Sequence, residues 1–166
     1  LGAPELLVPS VREAMGPVAS AVHGEPSRHL QVLGVTGTNG KTTTVHLAAA
    51  VLRALGVATA EIGTLTGART TPEAPELQRA FRDERTAGRV ALAMEVSSHA
   101  LDQHRVDGTS FAAVAFTNLG VDHLDHHGTL EHYFEAKARL FDPDFAPIAV
   151  IDTRQEWGRR LAAATT

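Results

Sequence analysis

The stretch GVTGTNGKTTT, residues 34–44, decides how this chain reads. Residues 31–35 read as a short strand, Gly37 and Gly40 permit a tight backbone path, and residues 41–54 carry the apolar spacing of a helix. A glycine-rich turn between a strand and a helix aims backbone N–H groups and the positive end of the helix dipole at an anion. In the pattern GxxxxGK[ST] the lysine reaches the outer phosphates of a polyphosphate and the next hydroxyl ligates magnesium; Lys41 and Thr42 hold those places here. Gly37, Thr38, Asn39, Gly40, Lys41, Thr42 and Thr43 form the expected phosphate cradle. One departure weakens a plain nucleotidase reading: Val35 stands where the pattern has its first glycine, and Gly34 comes one residue early.

Outward from that loop, the 166 residues carry a net charge of −4 and a pI near 6.1. They offer no basic field for nucleic acid, and the few aromatics are too scattered to stack bases, so no nucleic-acid partner is expected. There is no cysteine, which excludes disulfides and thiolate metal sites; any metal must bind oxygen or imidazole. The length suits one domain with one core. Residues 45–60 are the longest apolar stretch, but His46 and Arg53 interrupt it, which predicts an amphipathic helix and a strand, not a membrane span. No basic segment precedes a hydrophobic run, so no export signal is expected and the expected location is cytoplasmic. The chain opens on Leu1 and closes on LAAATT, and it reads as an excised piece of a longer protein.

Strand and helix alternate along the rest. Ser10 caps an expected helix over 11–22, and GEPSRH at 24–29 reads as a linker at a domain boundary. Strands are expected over 57–62, 89–96, 111–117 and 147–151; the second of these is nearly all apolar and should be buried on both faces. Helices are expected from Thr71 as cap, with Pro72 at the first position, to about 86; over 98–103; from Thr129 to about 140; and over 155–164. This order predicts an α/β fold, a P-loop-type, mostly parallel sheet flanked by helices, with ligands at the carboxyl ends of the strands.

Three polar clusters fall at those ends: 36–44, 95–105 and 117–127. Glu95 closes an apolar strand, where a carboxylate is costly unless paired or bound to a cation. Magnesium beside Thr42 would satisfy it, and so would an ion pair with Arg105 or a helix N-terminus; the sequence leaves the choice open. The run NLGVDHLDHHGTLEHYFEAK, 118–137, concentrates histidine and carboxylate and suggests a metal. His123 and His126 with Asp122 or Asp125 are candidate zinc ligands, although hard oxygen donors beside a phosphate loop favour magnesium. Lys137, taken alone, reads as a solvated lysine.

In order along the chain, GVTGTNGKTTT, RTTPEAPELQ, MEVSSHALDQHRV and FTNLGVDHLDHHGTLEHYFEAKARLF resemble the central, ATP-binding domain of the Mur ligases, most nearly the MurE enzymes. The resemblance implies that residues 1–28 end an N-terminal UDP-binding domain or its linker, and that 29–166 are part of the central domain. It implies an ATP-dependent ligase of peptidoglycan precursor synthesis, joining a diamino acid to UDP-MurNAc-L-Ala-D-Glu through an acyl phosphate. The implied ligands are ATP and Mg2+ at two sites, with UDP-MurNAc-dipeptide and an amino acid as substrates; the implied form is a monomer away from any membrane. By motif position Lys41, Glu95, His123 and Lys137 are the catalytic set. Thr42 and Glu95 match ligands of one magnesium and His123 a ligand of the second, while Lys137 stands where the family carries a carbamylated lysine that ligates metal. Thr70, Thr71, Ser97 and Arg105 match positions that hold the UDP-MurNAc-dipeptide.

Two departures accompany the resemblance. Only residues 64–68 separate Gly63 from Arg69, where MurE proteins carry a longer hairpin. The chain also stops after its fifth expected strand, without the family's C-terminal domain and the motif that reads the added amino acid, so the isolated stretch is expected to be poorly active or inactive. Another Mur ligase, a folylpolyglutamate synthetase-like ligase, or a non-catalytic nucleotide-binding module are the alternatives.

Overall fold

The computed structural model describes residues 5–165. Ser10 accepts a hydrogen bond from the Glu13 N–H at 3.3 Å and starts helix α1 (Val11–Val22) as expected. The expected linker is a packed 3-10 turn (Pro26–His29) with Pro26 and Ser27 buried. There follow β1 (Gln31–Thr36), α2 (Lys41–Ala54), β2 (Thr59–Ile62), α3 (Ala74–Thr86), β3 (Ala91–Glu95), α4 (Ser98–Asp102) and β4 (Ala113–Phe116). Two helices, α5 (Leu124–His127) and α6 (Leu130–Ala138), then lead through a 3-10 turn (Arg139–Phe141) to β5 (Ala149–Ile151) and α7 (Glu156–Ala164).

All strand pairs are parallel, in the order β2-β3-β1-β4-β5. β2 and β3 lie on one side of β1, β4 and β5 on the other. The crossover direction therefore reverses at β1, and its carboxyl end opens into the crevice where ligands of such sheets bind.

Helices on both faces explain why all five residues of β3 are buried. On one face Leu77 and Phe81 of α3, Leu92 and Met94 of β3, Phe116 of β4 and Phe134 of α6 share a core. Leu77 and Phe81 are fully enclosed, and each contributes about 1.5–3 kcal/mol by leaving water. On the other face α2 packs Val45 and Ala49 against Val35 and Ala93. Gly34 faces the first of these cores: a Cβ there would lie 2.8 Å from the Phe111 ring. The early glycine of the loop motif thus serves the core.

The helix expected from Thr71 is a correction. α3 begins at Ala74, with Glu73 at its N-cap and Pro75 in its first turn. Thr71 instead donates its hydroxyl to the carbonyl of Glu95 at 2.9 Å, a tertiary bond that replaces the local cap. β2 to β5 are shorter than the apolar runs suggested, because pairing stops before the runs do, whereas β1 runs one residue further, to Thr36. α5 and the first 3-10 turn lay outside the expected elements, and the helix expected to run to about 140 ends at Ala138 and tightens into the second 3-10 turn. Among the described residues no helix is long and apolar enough to cross a membrane.

Candidate active site at the carboxyl end of β1

The loop between β1 and α2 is clasped by the residues that follow β4. Asn118 accepts from the Thr38 N–H through its carbonyl at 2.9 Å and from the Asn39 N–H through Oδ1 at 3.0 Å. Its Nδ2 donates back to the Asn39 carbonyl at 3.0 Å, which the Thr117 hydroxyl also reaches at 2.7 Å. Thr38 Oγ1 accepts from the Gly120 N–H at 2.9 Å and lies 3.2 Å from the Tyr133 hydroxyl. Two glycines make this path possible. A Cβ on Gly37 would fall 1.9 Å from Thr117 Oγ1, and Gly40 sits at the N-cap of α2 with φ 85°, a left-handed conformation.

Four sequence-predicted residues converge on this loop. Lys41 curls over it, donating to the carbonyls of Gly37 at 2.8 Å and Thr38 at 3.0 Å. Thr42 donates to Glu95 Oε2 at 2.9 Å, and Glu95 Oε1 accepts from the Thr64 N–H at 2.8 Å. The shortened 64–68 segment thus folds onto the site as a tight turn, closed by the Thr66 N–H to the Gly63 carbonyl at 3.0 Å. Lys137 is buried, donates to the Gly37 carbonyl at 3.0 Å and lies over the Tyr133 ring, 4.4 Å from its centroid. The solvated-lysine reading is therefore corrected. Burial, reinforced by the Lys41 ammonium, pushes Lys137 down to about 7, with Asp122 acting the other way. Burial also pulls Lys41 below the ordinary lysine value, against Glu95 and Asp122.

The histidines form a ring stack beside this corner. His123 has φ 49°, is edge-on to His99 at 4.8 Å, and faces Tyr133 at 6.0 Å between centroids. His126 lies 4.2 Å from His99 and pairs with Asp102 at 2.9 Å, so the zinc arrangement with Asp122 or Asp125 does not form. His127 is buried against the Ser98 hydroxyl at 3.0 Å; burial, then His126 and His99, push it down to about 4. Thr71, Ser97 and Arg105 form the rim on the other side, where Thr71 Oγ1 accepts from the Ser97 N–H at 3.1 Å and the Thr71 carbonyl accepts from Arg105 at 3.2 Å. Thr70 is reached through Thr64, hydroxyl to hydroxyl, at 3.1 Å. Arg105 pairs with Glu73 and not with Glu95. Asn118, Tyr133 and Glu73 are candidate site residues that sequence reasoning missed; the partners that place them, Asn39, Thr38 and Arg105, lie tens of residues away, and only the strand-end position of Asn118 hinted at its place.

The donor set fits a nucleotide with magnesium. Gly40 gives α2 no side-chain cap, so the N–H groups of its first turn are presented to the crevice. Thr42 and Glu95 offer two adjacent hard oxygens, and magnesium characteristically takes one or two protein oxygens together with phosphate oxygens and water. Among the described residues no three His, Asp or Glu side chains gather as a protein-only metal cage.

Comparison with known proteins identifies the family. The Mur ligase middle domain model matches residues 35–166. A UDP-N-acetylmuramoyl-L-alanyl-D-glutamate–2,6-diaminopimelate ligase of Corynebacterium efficiens is 48% identical over 172 residues, covering 96% of this chain and 32% of that protein. The ligase of the same name from Streptomyces coelicolor is 43% identical, covering 99% of this chain and 34% of its own length. The chain spans about a third of the length of the curated relatives it matches. A solved structure of a ligase of that name superposes with a TM-score of 0.81 at 32% identity, covering 97% of this chain and 36% of that one. A folylpolyglutamate synthase from Mycobacterium tuberculosis, complexed with ADP and AMPPCP, shares the fold at a TM-score of 0.67 and 17% identity, covering 92% of this chain and 44% of its own. With the family model matched over residues 35–166 and a relative 48% identical across 96% of the chain, this chain belongs to the Mur ligase middle-domain family.

Proposed function

We propose that this chain is the catalytic core of an ATP-dependent amide ligase that joins 2,6-diaminopimelate to UDP-MurNAc-L-Ala-D-Glu in peptidoglycan precursor synthesis. One observation carries the reading: Lys41, Thr42, Glu95 and Lys137 meet around a single glycine-built loop. Similarity to ligases of that name supports the substrate assignment. In the proposed reaction the D-glutamyl carboxylate takes the γ-phosphoryl group of ATP, releasing ADP. The amine then displaces phosphate from the acyl phosphate and loses a proton.

Lys41 and the N–H groups that open α2 bind the phosphates and neutralise the charge that shifts as the phosphoryl group moves. Thr42 and Glu95 hold one magnesium ion and His123 a second; bound magnesium supplies positive charge between two anions that must approach. Lys137 reacts as the neutral amine with carbon dioxide, forming an N–C bond and losing a proton, so that a cation becomes an anionic oxygen donor. Its lowered pKa supports this, since near neutral pH much of the amine carries no extra proton. Thr70, Thr71, Ser97 and Arg105 hold the acceptor, and the planar fork of Arg105 suits its carboxylate or diphosphate. Residues 1–28 are read as the end of a preceding UDP-binding domain and 29–166 as part of the ATP-binding domain, in a monomeric cytoplasmic enzyme.

The test uses the full-length protein with ATP, magnesium, UDP-MurNAc-L-Ala-D-Glu and 2,6-diaminopimelate. Mass spectrometry is expected to detect the UDP-MurNAc-tripeptide with one ADP for each product. ATP binding without ADP formation when every substrate is present would point to a nucleotide-binding module instead.

A further inference from the structure

Glu73, at the N-cap of α3, is reached by three arginines from different parts of the chain. Arg12 of α1 places Nη1 2.9 Å from Oε2, while Arg69 Nη1 and Arg105 Nε each lie 3.0 Å from Oε1. Three guanidiniums against one carboxylate leave this corner cationic. Arg12 and Arg69 are about half exposed, at 53% and 54%, whereas Arg105 is only 16% exposed. Exposed ion pairs contribute about 0–1 kcal/mol each, too little for stability alone to account for the convergence.

Arg105 is the member that faces the rim. Its Nη1 donates to the Thr71 carbonyl at 3.2 Å and its Nη2 to Gln103 Oε1 at 2.6 Å. Nη1 and Nη2 thus each hydrogen-bond a protein oxygen, whereas the buried Nε, 3.0 Å from Glu73 Oε1, is ion-paired without the alignment of a hydrogen bond. A guanidinium carries five N–H groups in one plane, so one remains on each terminal nitrogen. Such a pair is the fork that recognises a carboxylate or phosphate.

We infer that Glu73 is a positioning residue for the acceptor. Its ion pair holds Arg105 in place with the remaining N–H groups available to an anionic group, and Arg12 and Arg69 cancel its charge so that it does not repel that anion. Through Arg12, α1 is tied to the same corner. The inference rests on the functional reading above, in which Arg105 holds the acceptor.

The test is steady-state ligation by the full-length protein, with separate KM values for UDP-MurNAc-L-Ala-D-Glu and for ATP. Glu73→Gln keeps the shape and removes the charge; the acceptor KM is expected to rise about tenfold, as losing the ion-pair partner that holds Arg105 predicts, with kcat and the ATP KM within about twofold. Glu73→Asp, which keeps the charge, should recover most of the loss. Arg12→Gln should raise the acceptor KM about threefold at low salt and less at high salt, because screening weakens the exposed repulsion. If Glu73→Gln is too unstable to assay, Arg12→Gln decides alone. An acceptor KM unmoved in Glu73→Gln, an equal rise for ATP, no recovery in Glu73→Asp, or an unmoved acceptor KM in Arg12→Gln overturns the inference while the functional reading stands. An unmodified protein that forms no product overturns both.

Discussion

Around the loop after β1, charged groups are buried and each is held by a named oxygen, whereas the neighbouring histidine run is largely exposed and held by ring contacts. Lys137 and Glu95 are 1% and 2% exposed, while the side chain of His123 is 45% exposed and its nearest carboxylate, Asp122, stands 3.6 Å away. The contrast teaches where charge can be made to matter. Burial first, and then the Lys41 ammonium that shares the Gly37 carbonyl, disfavour the protonated form of Lys137, so Lys137 changes charge near neutral pH. The exposed imidazoles sit in a screened setting where a single pairing is worth little.

That contrast can be broken by substitution, and the largest effect is expected at the loop. Lys41→Ala should lower the ligation rate of the full-length protein about 10²–10³-fold, the scale of losing one preorganised group that stabilises transferred charge. Asn118→Ala removes both side-chain bonds of the clasp; about 2 kcal/mol is expected, a fall of roughly 4–8 °C in melting temperature, together with weaker ATP binding by calorimetry. The third prediction concerns pH. Because Lys137 is depressed from 10.5 to about 7 on folding, the unfolded chain binds more protons between those values. Stability attributable to Lys137 should therefore rise with pH from about 7 to 10.5, and denaturant titrations without bicarbonate or metal should show wild type gaining on Lys137→Met across that window. A difference that stays constant with pH would remove the depressed lysine. The smallest effect belongs to the histidine run: His126→Ala, which deletes a half-exposed pair with Asp102, should change stability by no more than about 0.5 kcal/mol.

Local chemistry explains what was legible in the sequence. The strand, the glycines and the apolar spacing of 31–54 sit within one supersecondary unit, and Ser10 and Thr129 bond to N–H groups three residues away, so their caps could be read directly. Thr71 shows the opposite case. Its Thr-Pro setting is that of a helix cap, but its hydroxyl is taken by a carbonyl on β3 that only the folded sheet brings near. Glu95 was expected at a buried strand end, yet its bond to Thr64 depended on how the short 64–68 turn folds back, which the sequence did not show. The Asn118 clasp and the pairs of Arg12 and Arg105 with Glu73 join segments far apart in the chain, and no periodicity or spacing carries such pairings; only Arg69, four residues from Glu73, is a local partner.

The claim at the centre is that this corner lets a carboxylate take a phosphoryl group from ATP. Full-length protein supplied with UDP-MurNAc-L-Ala-D-Glu carrying 18O in the D-glutamyl carboxylate should release phosphate with one 18O atom for each amide bond formed. Phosphate free of label while product accumulates would contradict the account.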